Sequence, residues 1–290
     1  MTRIAPFLSL VFVGFLLPFQ CPAQDRPGEI QVVSNLPYKS GDALTDYEKE
    51  RCHLDLYLPA QHPGFSSLVW FYGGSLTSGN KDDKFTVNIA RTFAGAGIAV
   101  AAVNYRLSPK ATFPAYVEDA AAAFAWMHGH IAERGGGPSK VFMGGHSAGA
   151  YLASLVGMDP RYLQKFGLDP SAIAGLIPIS GQMMTHFTVR KERGIAENTI
   201  IADEAAPIYY TRKDTPPFLI LLGDHDWPAR LEENQYFVAL QKSVGNTQVT
   251  LQVISDRNHG SIAGRIPNPG DPAAQAIIAF IERVSAASGR

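Results

Sequence analysis

The stretch Gly144-Gly145-His146-Ser147-Ala148-Gly149-Ala150 decides how this chain is read. It contains Gly145-x-Ser147-x-Gly149, the G-x-S-x-G pattern of a nucleophile elbow. A serine on a very sharp strand-to-helix turn has strained backbone angles, and the residues two positions away must be small for the chain to double back. That turn lifts the hydroxyl above the sheet, where a substrate reaches it. Gly, Ser and Ala are common, so the five residues alone are a weak signal, and the flanking sequence is what counts. Residues 141–143 (Val, Phe, Met) read as a short buried strand, and residues 148–156 as a buried helix. Strand, elbow and helix are the context the motif requires. The plainer alternative is a Gly-rich turn entering a helix.

Working outward, apolar runs and periodic segments alternate. Residues 30–33, 52–57, 67–72, 98–103, 172–179, 217–222 and 248–254 read as strands. The 67–72 run is continuously apolar, as a strand buried on both faces should be. Between them, residues 85–96 are helical in pattern, and Val117, Ala120, Ala121, Phe124 and Met127 share one face of a helix opened by Phe113-Pro114 and stopped at Gly135-Gly136-Gly137-Pro138. Phe237, Leu240 and Val244 are expected inside a further helix, and Ile277, Phe280, Ile281 and Val284 inside the last. This alternation predicts an α/β fold, a mostly parallel central sheet with helices on both faces. In such sheets, sites lie in loops after the carboxyl ends of strands.

The chain is 46% hydrophobic and 18% charged over 290 residues, which suits one large core. Its net charge of −1 gives no reason to expect a nucleic-acid partner. Arg3, the apolar run 4–19 and the small-residue end at Ala23 read as a secretory leader, residues 1–23, cleaved after Ala23. The run is short for a bilayer span and is interrupted by Gly14 and Pro18, so no stable membrane span is expected in the mature chain. Secretion or a periplasmic location follows. Residues 24–290 then form a single domain, with the polar segment 181–215 a candidate small cap. After cleavage only Cys52 of the two cysteines remains, and it reads as a small buried side chain.

A serine hydroxyl is a poor nucleophile at neutral pH. It needs a base to take its proton, and the base needs a partner that fixes its tautomer. In elbow-type sites the chain order is Ser, then Asp or Glu, then His. Of the eight histidines only His259 lies beyond the Asp226 region, in Asp256-Arg257-Asn258-His259-Gly260-Ser261 directly after the last predicted strand. Asp224 and Asp226 both follow the strand ending at Leu222. Asp226 is favoured, because a loop carrying the acid first clears the strand end. His225 lies between the two acids, but three consecutive side chains converge poorly on one ion, so no metal is expected. Backbone donors for a developing oxyanion are expected from Ala148 in the elbow and from Gly73 and Gly74, which can approach closely because they lack Cβ.

Gly-His-Ser-Ala-Gly at 145–149, Asn-Tyr-Arg-Leu-Ser-Pro at 104–109, and Gly223-x-x-Asp226 followed by Asn258-His259-Gly260 resemble the α/β-hydrolases of the esterase/lipase group. The chain is similar to hormone-sensitive-lipase-like carboxylesterases and to arylformamidases from about Leu54 onward. The resemblance implies a Ser147, Asp226, His259 triad and an oxyanion hole from Gly73, Gly74 and Ala148. It also implies a serine carboxylesterase for small or medium acyl esters, with a small-molecule ester as partner and no cofactor. The alternatives are an arylformamidase, amidase or peptidase of the same fold, and a catalytically silent binding module. Where the family writes His-Gly-Gly before the oxyanion loop, this chain has Tyr72-Gly73-Gly74. The backbone donors survive that change, whereas the bracing histidine side chain does not.

Overall fold

The computed structural model describes Met1, residues 30–60 and residues 63–287. The leader expected over residues 1–23, with its cleavage after Ala23, falls outside the described residues apart from Met1. In chain order the elements are β1 (Gln31–Pro37), α1 (Asp46–Arg51), β2 (His53–Leu58), β3 (Phe65–Phe71), α2 (Lys84–Gly95), β4 (Ala99–Val103), α3 (Ala115–His130), β5 (Gly136–His146), α4 (Ala148–Met158) and α5 (Arg161–Gln164). They continue with β6 (Leu176–Ile179), α6 (Phe187–Glu192), β7 (Phe218–His225), α7 (Arg230–Ser243), β8 (Val249–Asn258), α8 (Ser261–Gly264) and α9 (Pro272–Ala287). The described strands form one sheet in the order β1-β2-β4-β3-β5-β6-β7-β8. The two pairings of β2 are antiparallel, and every pairing from β4 to β8 is parallel.

Why the sheet is parallel is legible in β3. Leu68, Val69, Trp70 and Phe71 have no exposed surface. Val69 and Phe71 face a layer with Phe124, Tyr151 and Phe237, while Leu68 and Trp70 face a layer with Ile89, Phe93, Ile277 and Phe280. A strand covered on both faces has no polar side to alternate. α3 keeps its expected stripe, with Val117, Ala120, Ala121, Phe124 and Met127 all buried.

Several boundaries differ from the expectation, each for a physical reason. α1 lies in a segment that reads as turns, and a capping box starts it: Glu48 N–H donates to Thr45 Oγ1 at 3.2 Å, and Thr45 N–H donates to Glu48 Oε2 at 3.1 Å. Gly135, at φ +88°, stops a 3-10 turn at Ile131–Arg134, but Gly136 already pairs with Phe65 in β5. The 172–179 run holds a shorter strand because Asp169 caps a 3-10 turn at Pro170–Ala172. Val244 is exposed at the end of α7, where Asn234 and Gln241 are buried instead.

One difference positions the site. β7 and β8 run on past the predicted ends, pairing Gly223 with Ile254 and His225 with Asn258. Asp226 and His259 are then each the first residue beyond a strand. Residues 181–215 contain α6 and a 3-10 turn at Pro207–Tyr210. This segment is tied to the neighbourhood of the elbow. Tyr151 of α4 donates to Ala205 O at 2.7 Å, and Thr188 Oγ1 donates to Ser75 O at 2.6 Å. Met183 is buried and Tyr209 exposed. No helix among the described residues is long and apolar enough to cross a membrane.

Candidate active site

Ser147 sits between β5 and α4 with φ +56° and ψ −115°, a conformation that costs an L-residue about 1–3 kcal/mol. The glycines around it make this turn sterically feasible. A Cβ on Gly145 would lie 2.4 Å from Phe71 O, and one on Gly149 would lie 2.0 Å from the same oxygen. The Ser147 N–H donates to Ile179 O at 2.8 Å, which pins the turn to the end of β6.

The three residues selected by chain order meet. His259 Nε2 is 2.9 Å from Ser147 Oγ, and His259 Nδ1 is 2.7 Å from Asp226 Oδ1. A carboxylate only accepts, so the proton on the imidazole is at Nδ1, and Nε2 offers its lone pair to the serine hydroxyl. Asp226 also accepts from the Trp227 N–H at 2.7 Å and from Ser180 Oγ at 2.5 Å. Burial pushes its carboxyl up, but the bonds from His259, Ser180 and the Trp227 N–H outweigh this and hold it below its ordinary value.

Asp224 does a different job. Still inside β7, it accepts from Arg257 N–H at 3.0 Å and from His225 Nδ1 at 2.8 Å. The backbone bonds from Arg257 and Asp256 hold its carboxyl at about 2. His225 is exposed and turned to Asp224 rather than to the triad. Among the described residues, no group of His, Cys, Asp and Glu could hold a metal ion.

The loop expected to supply oxyanion donors lies against the elbow: a Cβ on Gly73 would be 3.2 Å from Ser147 Cβ. Gly74 has φ +110°, and its carbonyl accepts from the Thr77 and Ser78 N–H groups at 2.9 and 3.0 Å, folding the loop back on itself. Ala148 is the buried first residue of α4. In place of a histidine brace, the Tyr72 ring stacks on Tyr105 with centroids 4.6 Å apart. Tyr72 Oη accepts from Arg51 Nη2 at 2.5 Å, and Tyr105 Oη donates back to Tyr72 O at 2.9 Å. Arg51 also donates to Tyr105 O and Gly79 O, so one guanidinium ties the loop after β3 to the loop after β4.

Other residues of the site escape sequence reasoning. Ser180 follows a strand end, as Asp226 and His259 do, and that position is its one signal. His146, inside the elbow, donates from Nε2 to His259 O at 2.6 Å. Burial lowers its imidazole to about 4. Trp227 stacks on His259 with centroids 3.6 Å apart. A cavity of about 930 Å³ lies away from all of these residues; Ala174, Pro217 and Gln248 line it at the amino ends of β6, β7 and β8.

A family model of the prolyl oligopeptidase family matches residues 115–287, and a second, BD-FAE, matches residues 54–172. Esterase LipQ of Mycobacterium tuberculosis is 28% identical over 210 residues, covering 66% of this chain and 49% of that protein. The probable isoprenylcysteine alpha-carbonyl methylesterase ICMEL1 of Oryza sativa subsp. japonica is 35% identical over 154 residues, 52% of this chain and 34% of that one. The chain thus spans about half or less of the length of these curated relatives. Among solved structures, a truncated carbohydrate esterase from gut microbiota superposes with a TM-score of 0.72 at 21% identity, covering 90% of this chain and 99% of that one. Thermogutta terrifontis esterase 2 phosphoramylated by tabun gives 0.66 at 22% identity, covering 93% and 98%. At these identities the structures establish the fold.

Proposed function

We propose, for a chain that belongs to the prolyl oligopeptidase family of α/β-hydrolases, a serine carboxylesterase acting on small or medium acyl esters. The observation that carries this is the unbroken line from Asp226 through His259 to Ser147, with spacings of 2.7 and 2.9 Å.

In this reading Ser147 Oγ attacks the ester carbonyl carbon while His259 Nε2 takes its proton. Asp226 accepts from Nδ1 and supports the imidazolium charge. The carbonyl oxygen becomes an oxyanion beside the N–H groups of Gly73, Gly74 and Ala148, and losing one such donor costs about 3 kcal/mol. The carbon–oxygen bond to the alcohol then breaks, and His259 returns the proton to the departing oxygen. Water repeats the sequence on the acyl-enzyme and releases the acid.

Ser147→Ala should abolish hydrolysis of a chromogenic acetyl ester with the fold intact by circular dichroism, and a fluorophosphonate probe should label wild-type Ser147 and not the variant. Equal turnover by the variant would remove the serine from the mechanism, and an unlabelled wild type would favour a silent binding module. The match to the prolyl oligopeptidase family favours amides as the second substrate class. Side-by-side turnover of an ester, a formamide and a dipeptide separates the two.

Secretion or export belongs to the same proposal, supported by the leader pattern of residues 1–23. Amino-terminal sequencing of exported protein should begin at Gln24.

A further inference from the structure

Trp227 is 45% exposed, yet its ring lies flat on the His259 imidazole, with centroids 3.6 Å apart and planes 13° from parallel. The imidazole covers one face of the indole and the Arg230 guanidinium also lies over the ring, so the exposed surface is what these two groups leave open. The loop holds the ring in place. The Trp227 N–H donates to Asp226 Oδ1 at 2.7 Å, and Trp227 O accepts from Arg230 N–H at 3.1 Å. Pro228 follows, then Ala229 at φ +64°, and the Arg230 guanidinium carbon is 5.9 Å from the ring centroid. A large aromatic side chain held this firmly but left wet contributes little to the core. An exposed apolar surface beside a site is the kind that a ligand covers.

The position of the ring says which part of a substrate that is. His259 Nε2 faces Ser147 Oγ at 2.9 Å. The oxygen to which His259 returns a proton must come within hydrogen-bond reach of the same nitrogen. Whatever hangs on that oxygen is carried past the rim of the indole stacked on the imidazole. We infer that Trp227 is a platform for the leaving alcohol and selects alcohols that carry a flat ring face, either an aryl ring or the C–H face of a pyranose. Such a face covers the wet indole in one piece and loses little conformational freedom in doing so, whereas a straight alkyl chain freezes several rotors for the same coverage. The inference rests on the hydrolase reading above and names the alcohol class of that same site.

The test compares kcat/KM for benzyl acetate and heptyl acetate, whose alcohols have the same number of carbons, in wild type, Trp227→Phe and Trp227→Ala. A third substrate, methyl 6-O-acetyl-glucoside, distinguishes a sugar from an aryl ring. Any loss common to all three esters reports the support of His259 by the ring. The platform is read from the ratio of a ring-bearing ester to heptyl acetate. Trp227→Ala should lower that ratio about five- to tenfold, mostly through KM, while Trp227→Phe holds it within about twofold. A fall for benzyl acetate alone assigns the platform to aryl alcohols, and a fall for the glucoside alone assigns it to sugars. Ratios unchanged in a Trp227→Ala protein that still labels with fluorophosphonate would overturn the platform and leave the esterase standing. A wild type that does not label would take down both.

Discussion

His146 supports His259 from behind. Its Nε2 donates to the backbone carbonyl of His259 at 2.6 Å, and the two rings lie 4.9 Å apart, so the residue before the serine positions the histidine proposed to activate it. Burial lowers the His146 imidazole to about 4 from an ordinary 6.5. Between those two values the unfolded chain binds a proton there that the folded chain does not. Stability from this group is therefore complete above about pH 6.5 and lost as pH falls toward 4, by up to roughly 3 kcal/mol. Urea titrations should show His146→Asn with a flatter pH dependence than wild type across this window. Parallel slopes would remove His146 from the linkage.

Ser180 donates to Asp226 Oδ2 at 2.5 Å from a backbone with φ +54°. A bond to a carboxylate of this kind is worth about 1.5–3 kcal/mol. Ser180→Ala should lower kcat about tenfold with little change in KM. The carboxyl of Asp226 is held below 3.8, so its contribution is present above the unfolded value and lost as pH falls through the folded one. Without Ser180 the folded value rises, and the midpoint of acid unfolding by circular dichroism should move to higher pH.

The Tyr72 hydroxyl accepts from Arg51 Nη2 at 2.5 Å, directly before the two glycines of the oxyanion loop. Tyr72→Phe keeps the stack on Tyr105 and removes the acceptor. Pre-steady-state acylation should slow about fivefold while KM stays within twofold, because the loop is asked for at the transition state and not in ground-state binding. A KM effect without a kcat effect would contradict this.

Gly149 of the elbow and Gly95 of α2 should respond oppositely to a methyl group. Gly149→Ala places a Cβ 2.0 Å from Phe71 O, a backbone atom in a central strand. Thermal unfolding should show a loss of more than about 3 kcal/mol, or no soluble protein. Gly95→Ala, at the end of α2 where a Cβ meets nothing within 4 Å, should gain up to about 1 kcal/mol from helix propensity.

Much of the site was readable because chain order is a linear property. One histidine satisfied the Ser, acid, His order, and the glycines flanking Ser147 reported a backbone approach that no other residue permits. Ser180, His146 and Trp227 carry no comparable signal. A serine after a strand, a histidine in a turn and an exposed tryptophan each have many innocuous uses, and only their neighbours across the sheet give these three a role.

The linear pattern by itself determined that the central strand 67–72 is buried on both faces, that strands alternating with helices form a mostly parallel sheet, and that a serine stands on a sharp turn at its edge. It could not choose between Asp224 and Asp226 by distance, since two residues apart on one chain are equivalent until strand length is known. Pairing of β7 with β8 decided that choice: the ladder continues to His225, consumes Asp224 in the strand, and releases Asp226 toward His259. It likewise took folding to bring Arg51 under Tyr72, because a brace between positions 21 residues apart exists only once the sheet has set their separation. Hydrophobic periodicity is local and survives in sequence, whereas hydrogen-bond geometry between loops is a product of the sheet that spaces them.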